Sequence, residues 1–436
     1  LVEDPAVDEY IQDLGHRLAT HAHEGEHKFY FFVVDDPSIN AFALPGGYIG
    51  VHAGLIEATK TESELAGVLA HEIAHVTQRH IARAIFDSQR TSMASAAAML
   101  AGILLGAATG AGGDAIQGVV MASQAAAIQQ QINFTRSNEY EADRVGMGVL
   151  AAAGFNPQGM PAFFETMQRR YGLASTRMPQ LLQTHPVTTA RIAESRGRAR
   201  LLPRQDPEDS TNYGLVRARL ELLSARNVED AQLGFELRLK EYPESVSARF
   251  GLALTFLKMS LPDRAELILR KLLKQHPDTI AFHVAHADAL LAGGNLARAL
   301  DAYQHAVDLF PRNVPVTVAY GEALISAGQA REAHQLLLDL LNNIPPTPTQ
   351  IRLIARAANA EGDIGNAHFY MAEYHLMLGD LRMALEQLRM AQESPGVDSV
   401  DSARYAARMQ ELRDSIPEKQ RKKFEATSPE KPESGG

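Results

Sequence analysis

The chain has 436 residues, 45% hydrophobic and 22% charged, with a formal net charge of −10 and no cysteine. That length and balance fit two or three folded domains, each with its own core, and exclude wholesale disorder. No concentrated basic face is evident, which excludes a nucleic-acid binder, and the lack of thiols excludes disulfides and thiolate metal sites.

The first residues, Leu1-Val2-Glu3-Asp4-Pro5, carry no basic segment followed by an apolar one. The chain is therefore expected to be cytoplasmic or to be a mature form whose leader has been removed. Residues 1–205 mix strand-like and helix-like texture. Phe29-Tyr30-Phe31-Phe32-Val33-Val34 is a β-rich run ended by Asp35-Asp36-Pro37. A second strand begins near Ala41, turns at Pro45-Gly46-Gly47 and re-enters as Tyr48-Ile49-Gly50-Val51. From Thr61 the pattern is helical, with Thr61 and Glu64 spaced as a capping box ahead of Leu65, Val68, Leu69 and Ile73.

That helix carries His71-Glu72-Ile73-Ala74-His75. Residues i and i+4 share a helix face, so both imidazoles can reach one Zn²⁺, and Glu72 stands beside the metal as a general base for the attacking water. The pattern predicts a zinc endopeptidase with one zinc per chain. A catalytic zinc needs a third protein ligand. The short-spaced position for it holds Ile81, and His80 is expected on another, surface face. A second helix must supply the ligand, and Ser137-Asn138-Glu139-Tyr140-Glu141-Ala142-Asp143 is the best candidate. Glu139 and Asp143 share a face there, Glu139 as ligand and Asp143 as the carboxylate that orients a zinc-binding imidazole; Glu141 points nearly opposite.

Residues 93–108 are small and apolar, and uncharged residues continue to Gly113. The run is shorter than the roughly 20 residues a bilayer span needs, and glycines weaken it as a helix. Segment 91–113 is expected to be either a buried helical hairpin or one that touches a membrane or covers the site. From 210 to about 395 the chain is helical and repeats every 34 residues. Pro243, Pro277, Pro311 and Pro345 keep that period, as do Ala265, Ala299, Ala333 and Ala367, and Gly294, Gly328 and Gly362. Paired helices with Gly between them, a small Ala in the second and Pro after it match the tetratricopeptide repeat. The end, 416–436, is charged and rich in Lys, Glu, Pro and Gly, and is expected to be a disordered tail.

His71-Glu72-Ile73-Ala74-His75 followed by Glu139-Tyr140-Glu141-Ala142-Asp143 resembles the gluzincin metalloproteases of the HtpX and CAAX prenyl endopeptidase type. Asn40-Ala41-Phe42-Ala43-Leu44-Pro45-Gly46-Gly47 resembles that family's strand before the zinc helix. Thr184-His185-Pro186 with Arg191-Ile192 resembles its later His-Pro and Arg-Ile signature. With the repeat half attached, the resemblance to BepA-type proteases of the Gram-negative periplasm covers nearly the whole chain.

The expected architecture is an α+β, mainly helical gluzincin domain with a small sheet over 1–205, then an all-α tetratricopeptide solenoid over 210–415. The resemblance implies a periplasmic enzyme that degrades misfolded or stalled outer-membrane β-barrel proteins. It also implies assistance to their assembly beside the β-barrel assembly machinery through the repeats. The alternative is a repeat scaffold or chaperone whose zinc site stays latent. His185, on a loop before Pro186, is expected to be a fourth zinc ligand, a donor to the oxyanion, or a capping or core histidine. Arg191 either stabilises the tetrahedral intermediate or pairs with Asp143. Extended substrate would pair with the edge strand near Ala41–Leu44.

Overall fold

The computed structural model describes residues 1–22, 28–86, 135–171 and 179–415. The expectations for segment 91–113 and for the tail 416–436 lie outside the described residues. The described part falls into two compact units. One comprises Leu1–Ala231 with Tyr242–Gly251, the other Gln232–Glu241 with the chain from Leu252 onward.

In the first unit, helix α1 (Pro5–Ala19) starts where Asp4 accepts from the amides of Ala6 and Val7, with Pro5 at the first position. Both features satisfy the free end of a helix. Its apolar stripe of Val7, Ile11, Leu14 and Leu18 packs on strand β1 (Tyr30–Val34), whose alternate residues Phe31 and Val33 face the core. Strands β2 (Ala41–Leu44) and β3 (Tyr48–His52) form an antiparallel hairpin, and β3 pairs parallel with β1. The order β1-β3-β2 leaves β2 at the edge of the sheet. Gly46 and Gly47 turn the hairpin at φ +93° and +86°. At Gly47 a Cβ would also lie 2.0 Å from the Lys28 carbonyl oxygen, so conformation and space both demand glycine.

Helix α2 (Ala53–Ala58) leads into α3 (Glu62–Thr77). Thr61 caps α3 as the sequence predicts, its hydroxyl accepting from the Glu64 amide at 3.2 Å. The reciprocal half of the box is displaced by one residue, because the Glu64 carboxylate accepts from the Lys60 amide instead. Every residue of α3 except Val76 is buried. It is covered by the sheet, α1 and α6 (Gly159–Tyr171). Between these lie α4 (80–86) and α5 (135–152). Then follow α7 (Gln180–Thr184), α8 (Thr189–Ala199) and α9 (Thr211–Ser224). Although α9 lies beyond the change of texture at 205–210, it packs on α1 and α2 within the first unit, with the Tyr213 hydroxyl donating to the Thr59 carbonyl.

The second unit is a run of helix pairs on the 34-residue period. Helices α10 (Val228–Glu241) and α11 (Val246–Lys258) lead into it. Helices α12 (Pro262–Gln275), α13 (Ile280–Ala292), α14 (Leu296–Leu309), α15 (Val314–Ser326) and α16 (Ala330–Asn343) carry it forward. It closes with α17 (Pro348–Glu361), α18 (Ile364–Met377), α19 (Leu381–Glu393) and α20 (Ser399–Ser415). Ala265, Ala299, Ala333 and Ala367 are buried where the paired helices approach. Gly294, Gly328 and Gly362 sit at φ +76°, +78° and +94° just past α13, α15 and α17. These are the left-handed stops that glycine makes at least cost. Pro277, Pro311 and Pro345 follow two residues after α12, α14 and α16 and keep them from extending. Among the described residues no helix is long and apolar enough to cross a membrane.

Candidate metal centre and peptidase site

Helix α3 carries His71, Glu72 and His75 into the interior, and α5 brings Glu139 and Asp143 against them. Glu139, Asp143 and Gly146 follow i, i+4, i+7 spacing, so they form one stripe of α5. At Gly146 a Cβ would lie 2.8 Å from the Ala70 carbonyl oxygen and 3.0 Å from the His71 amide nitrogen. Glycine there lets the backbones of α5 and α3 meet beside the histidines. The third contribution is His185, the C-capping residue of α7, whose amide donates to the Leu181 carbonyl at 2.7 Å. The Leu181 amide donates to the Ile39 carbonyl just ahead of β2, which ties α7 to the sheet.

One donor atom from each of His71, His75, Glu139 and His185 lies within 4.8 Å of the others. His71 Nε2 is 3.0 Å from His75 Nε2, 3.4 Å from His185 Nδ1 and 3.5 Å from Glu139 Oε2. Glu139 Oε1 is 3.4 Å from His75 Nε2 and 3.0 Å from His185 Nδ1. Four donors at the usual zinc bond lengths of roughly 2.0–2.1 Å in a tetrahedron stand about 3.3–3.4 Å apart. The cluster has that size and chemistry. Charge agrees in sign: three buried carboxylates, Glu72, Glu139 and Asp143, surround the site against the one buried guanidinium of Arg191, an acidic setting that suits a cation. Glu72, with Oε1 buried and unbonded, stands 3.6 Å from His185 Nε2.

The electrostatics follow the contacts. Burial opposes charge on His71, but Asp143 and Glu139 outweigh it and hold the imidazole up at about 10. Burial, with the charge of His71, pushes His75 down. Glu139 is buried yet held far below the usual carboxylate range by His185, His71 and His75, and Asp143 is held down against burial by His71 and Arg191.

Each expected site residue has a definite place. Asp143 Oδ1 stands 3.0 Å from His71 Nδ1, behind the ring. Arg191, on α8, is engaged through all three of its nitrogens. Nε and Nη2 bind both oxygens of Asp143 at 2.8 and 2.7 Å, while Nη1 reaches Glu139 Oε2 at 2.8 Å and the Pro186 carbonyl at 2.9 Å. Glu139, not Glu141, faces His71, His75 and His185. His80 is the correction: it is buried, not on the surface, with Nδ1 2.9 Å from His75 Nδ1. A continuing helix would carry it to another face, but α3 stops at Gln78, and Arg79 at φ +54° reverses the chain. The site also rests on Phe164 of α6, whose ring lies under the Arg191 guanidinium at 5.1 Å and edge-on to His71. Nothing in the spacing of the sequence marked it.

Buried histidines on one helix turn, a carboxylate from a second helix and a free glutamate beside them define a metallopeptidase. Residues 5–199 match the model of Peptidase family M48, and residues 251–315 and 290–357 match tetratricopeptide-repeat models. A Vibrio cholerae relative is 35% identical over 415 residues, covering 94% of this chain and 85% of its own length. The beta-barrel assembly-enhancing protease of Escherichia coli K12 is 34% identical over 419 residues, 95% of this chain and 84% of that one. The mitochondrial metalloendopeptidase OMA1 of Saccharomyces cerevisiae is 31% identical over 198 residues, 44% of this chain and 49% of that one. The chain belongs to peptidase family M48, with the beta-barrel assembly-enhancing proteases that join this domain to tetratricopeptide repeats, and is a metalloendopeptidase.

Proposed function

We propose that the chain is a periplasmic zinc endopeptidase that cleaves unfolded or misassembled outer-membrane β-barrel proteins. The four-donor cluster with Glu72 beside it carries this reading; the names of the similar proteases point to the substrate class. His71, His75 and Glu139 hold the metal. When bound, zinc supplies a Lewis acid that polarises the scissile carbonyl and acidifies water. Glu72 takes the proton of the attacking water through its unbonded Oε1 and returns it to the leaving amine. Asp143 fixes the His71 ring so that Nε2 faces the site, and Arg191 holds Asp143, Glu139 and the Pro186 turn in register. Held by both carboxylates and the Pro186 carbonyl, Arg191 acts as a positioning residue of the site. Extended substrate lies along the free edge of β2, read through its backbone with loose sequence preference. The repeat unit holds partners, among them the β-barrel assembly machinery.

A restrained enzyme is favoured by the place of His185, whose Nδ1, 3.4 Å from His71 Nε2 and 3.0 Å from Glu139 Oε1, would be a fourth ligand in place of water. Cleavage of casein and of an unfolded barrel protein by the purified chain, with and without a chelator, tests the activity; cleavage indifferent to chelation defeats it. His185→Ala should raise cleavage, self-cleavage included, with zinc content unchanged. A fall of roughly 10²–10³-fold would instead make His185 an oxyanion donor.

A further inference from the structure

We infer that His80 is a positioning residue of the metal centre, joining the charge of Glu141 to the back of His75. The inference rests on the zinc reading above. The two metal-facing histidines of α3 are supported differently. His71 has a carboxylate directly behind it, Asp143 at 3.0 Å from Nδ1. Among the described residues His75 has no such carboxylate; 2.9 Å behind its Nδ1 is His80 Nδ1. His80 Nε2 is in turn 3.2 Å from Glu141 Oε2, and that oxygen also accepts from Arg83 Nη2 at 2.7 Å. The same Arg83 nitrogen donates to Asn138 Oδ1 at 2.7 Å, which fixes the guanidinium to α5.

The direction of every bond in this chain follows from its first member. His75 presents Nε2 to the donor cluster, so that nitrogen must keep its lone pair for a metal. A neutral imidazole then carries its proton on Nδ1. With His80 Nδ1 the one partner in reach there among the described residues, His80 must accept, and its own proton moves to Nε2. From Nε2 it donates to Glu141. The result is carboxylate to imidazole to imidazole to metal, a longer version of the support that His71 takes in one step. Placement agrees with purpose. His80 is a polar ring buried at 3% exposure, and both of its nitrogens are used. The left-handed Arg79 returns the chain to bring it there.

The test measures zinc affinity of the full chain by competition with a chromophoric chelator, beside thermal unfolding of each protein in excess EDTA. His80→Leu should weaken zinc by about 10-fold or more, within the span usual for lost outer support. Glu141→Gln should weaken it by less, and the double variant should be no weaker than His80→Leu, because Glu141 acts through His80. In His80→Gln the carboxamide oxygen can accept from His75 and its nitrogen donate to Glu141, so zinc should be held within about 3-fold of the parent. Any of three results overturns the inference: unaltered affinity in His80→Leu, additive losses in the double variant, or His80→Gln as impaired as His80→Leu. So does a drop in metal-free melting temperature large enough to account for the loss, which makes His80 a packing residue only. Should His80→Leu fail to fold, Glu141→Gln and His80→Gln still decide it. A parent chain that binds no zinc overturns the zinc reading itself, a separate outcome.

Discussion

At the scale of single residues, the division of labour between Glu72 and Glu139 is the sharpest claim. Glu139 is surrounded by the histidines, whereas Glu72 stands beside them with a free oxygen. Glu139→Ala should therefore lose zinc. Glu72→Gln should retain it and lose at least about 10²-fold in cleavage rate, as removal of a general base does. Metal analysis beside a peptide assay separates the two. Far from the site, Asp8 on α1 is raised from 3.8 to about 6 by burial and then by Asp4. A raised carboxyl favours the fold while protonated, so this contribution is whole below pH 3.8 and is lost as pH rises through about 6. The loss is on the order of 1–3 kcal/mol, reduced by partial exposure. Asp8→Asn should flatten urea midpoints between pH 4 and 7; an unchanged pH profile would show that Asp8 ionises freely.

At the scale of elements, the spacing of His71, Glu72 and His75 and the shared face of Glu139 and Asp143 were legible because both are properties of one helix. His80 was not, since its place depends on where α3 stops and on the turn at Arg79. The approach of α5 to α3 was equally hidden: nothing local to Gly146 says that another backbone lies against it. Gly146→Val places a side chain where the Ala70 carbonyl stands. It should lower stability by about 1–3 kcal/mol and weaken zinc as Glu139 and Asp143 are pushed outward. Denaturant midpoints and metal content check both effects. In the repeats, the period set the helix pairs, and one departure from its glycine column is instructive. The position 34 residues before Gly294 is Ser260, which adopts φ +58° without glycine's freedom. Ser260→Gly should therefore be neutral or raise the denaturant midpoint, by up to about 1 kcal/mol. Clear destabilisation would mean that the serine side chain is needed there.

At the scale of the whole molecule, the change from mixed texture to 34-residue repeats announced two kinds of structure, but not that α9 packs with the peptidase unit. All four donors lie in the first unit. Zinc bound there adds its binding free energy to the unfolding of that unit. Excess chelator should thus lower the calorimetric transition that Glu139→Ala also lowers, while a transition insensitive to both belongs to the repeats; equal shifts of every transition would contradict this. The burial of α3 on nearly every position has a temporal consequence. Its amides should be among the last in the chain to exchange with deuterated solvent, because releasing them requires the surrounding core to open. Helix α7, with five residues and only Leu181 buried, should exchange early. If His185 is the fourth ligand proposed above, its imidazole, carried at the end of that short helix, would leave and return many times before the helix that bears His71 and His75 opens once.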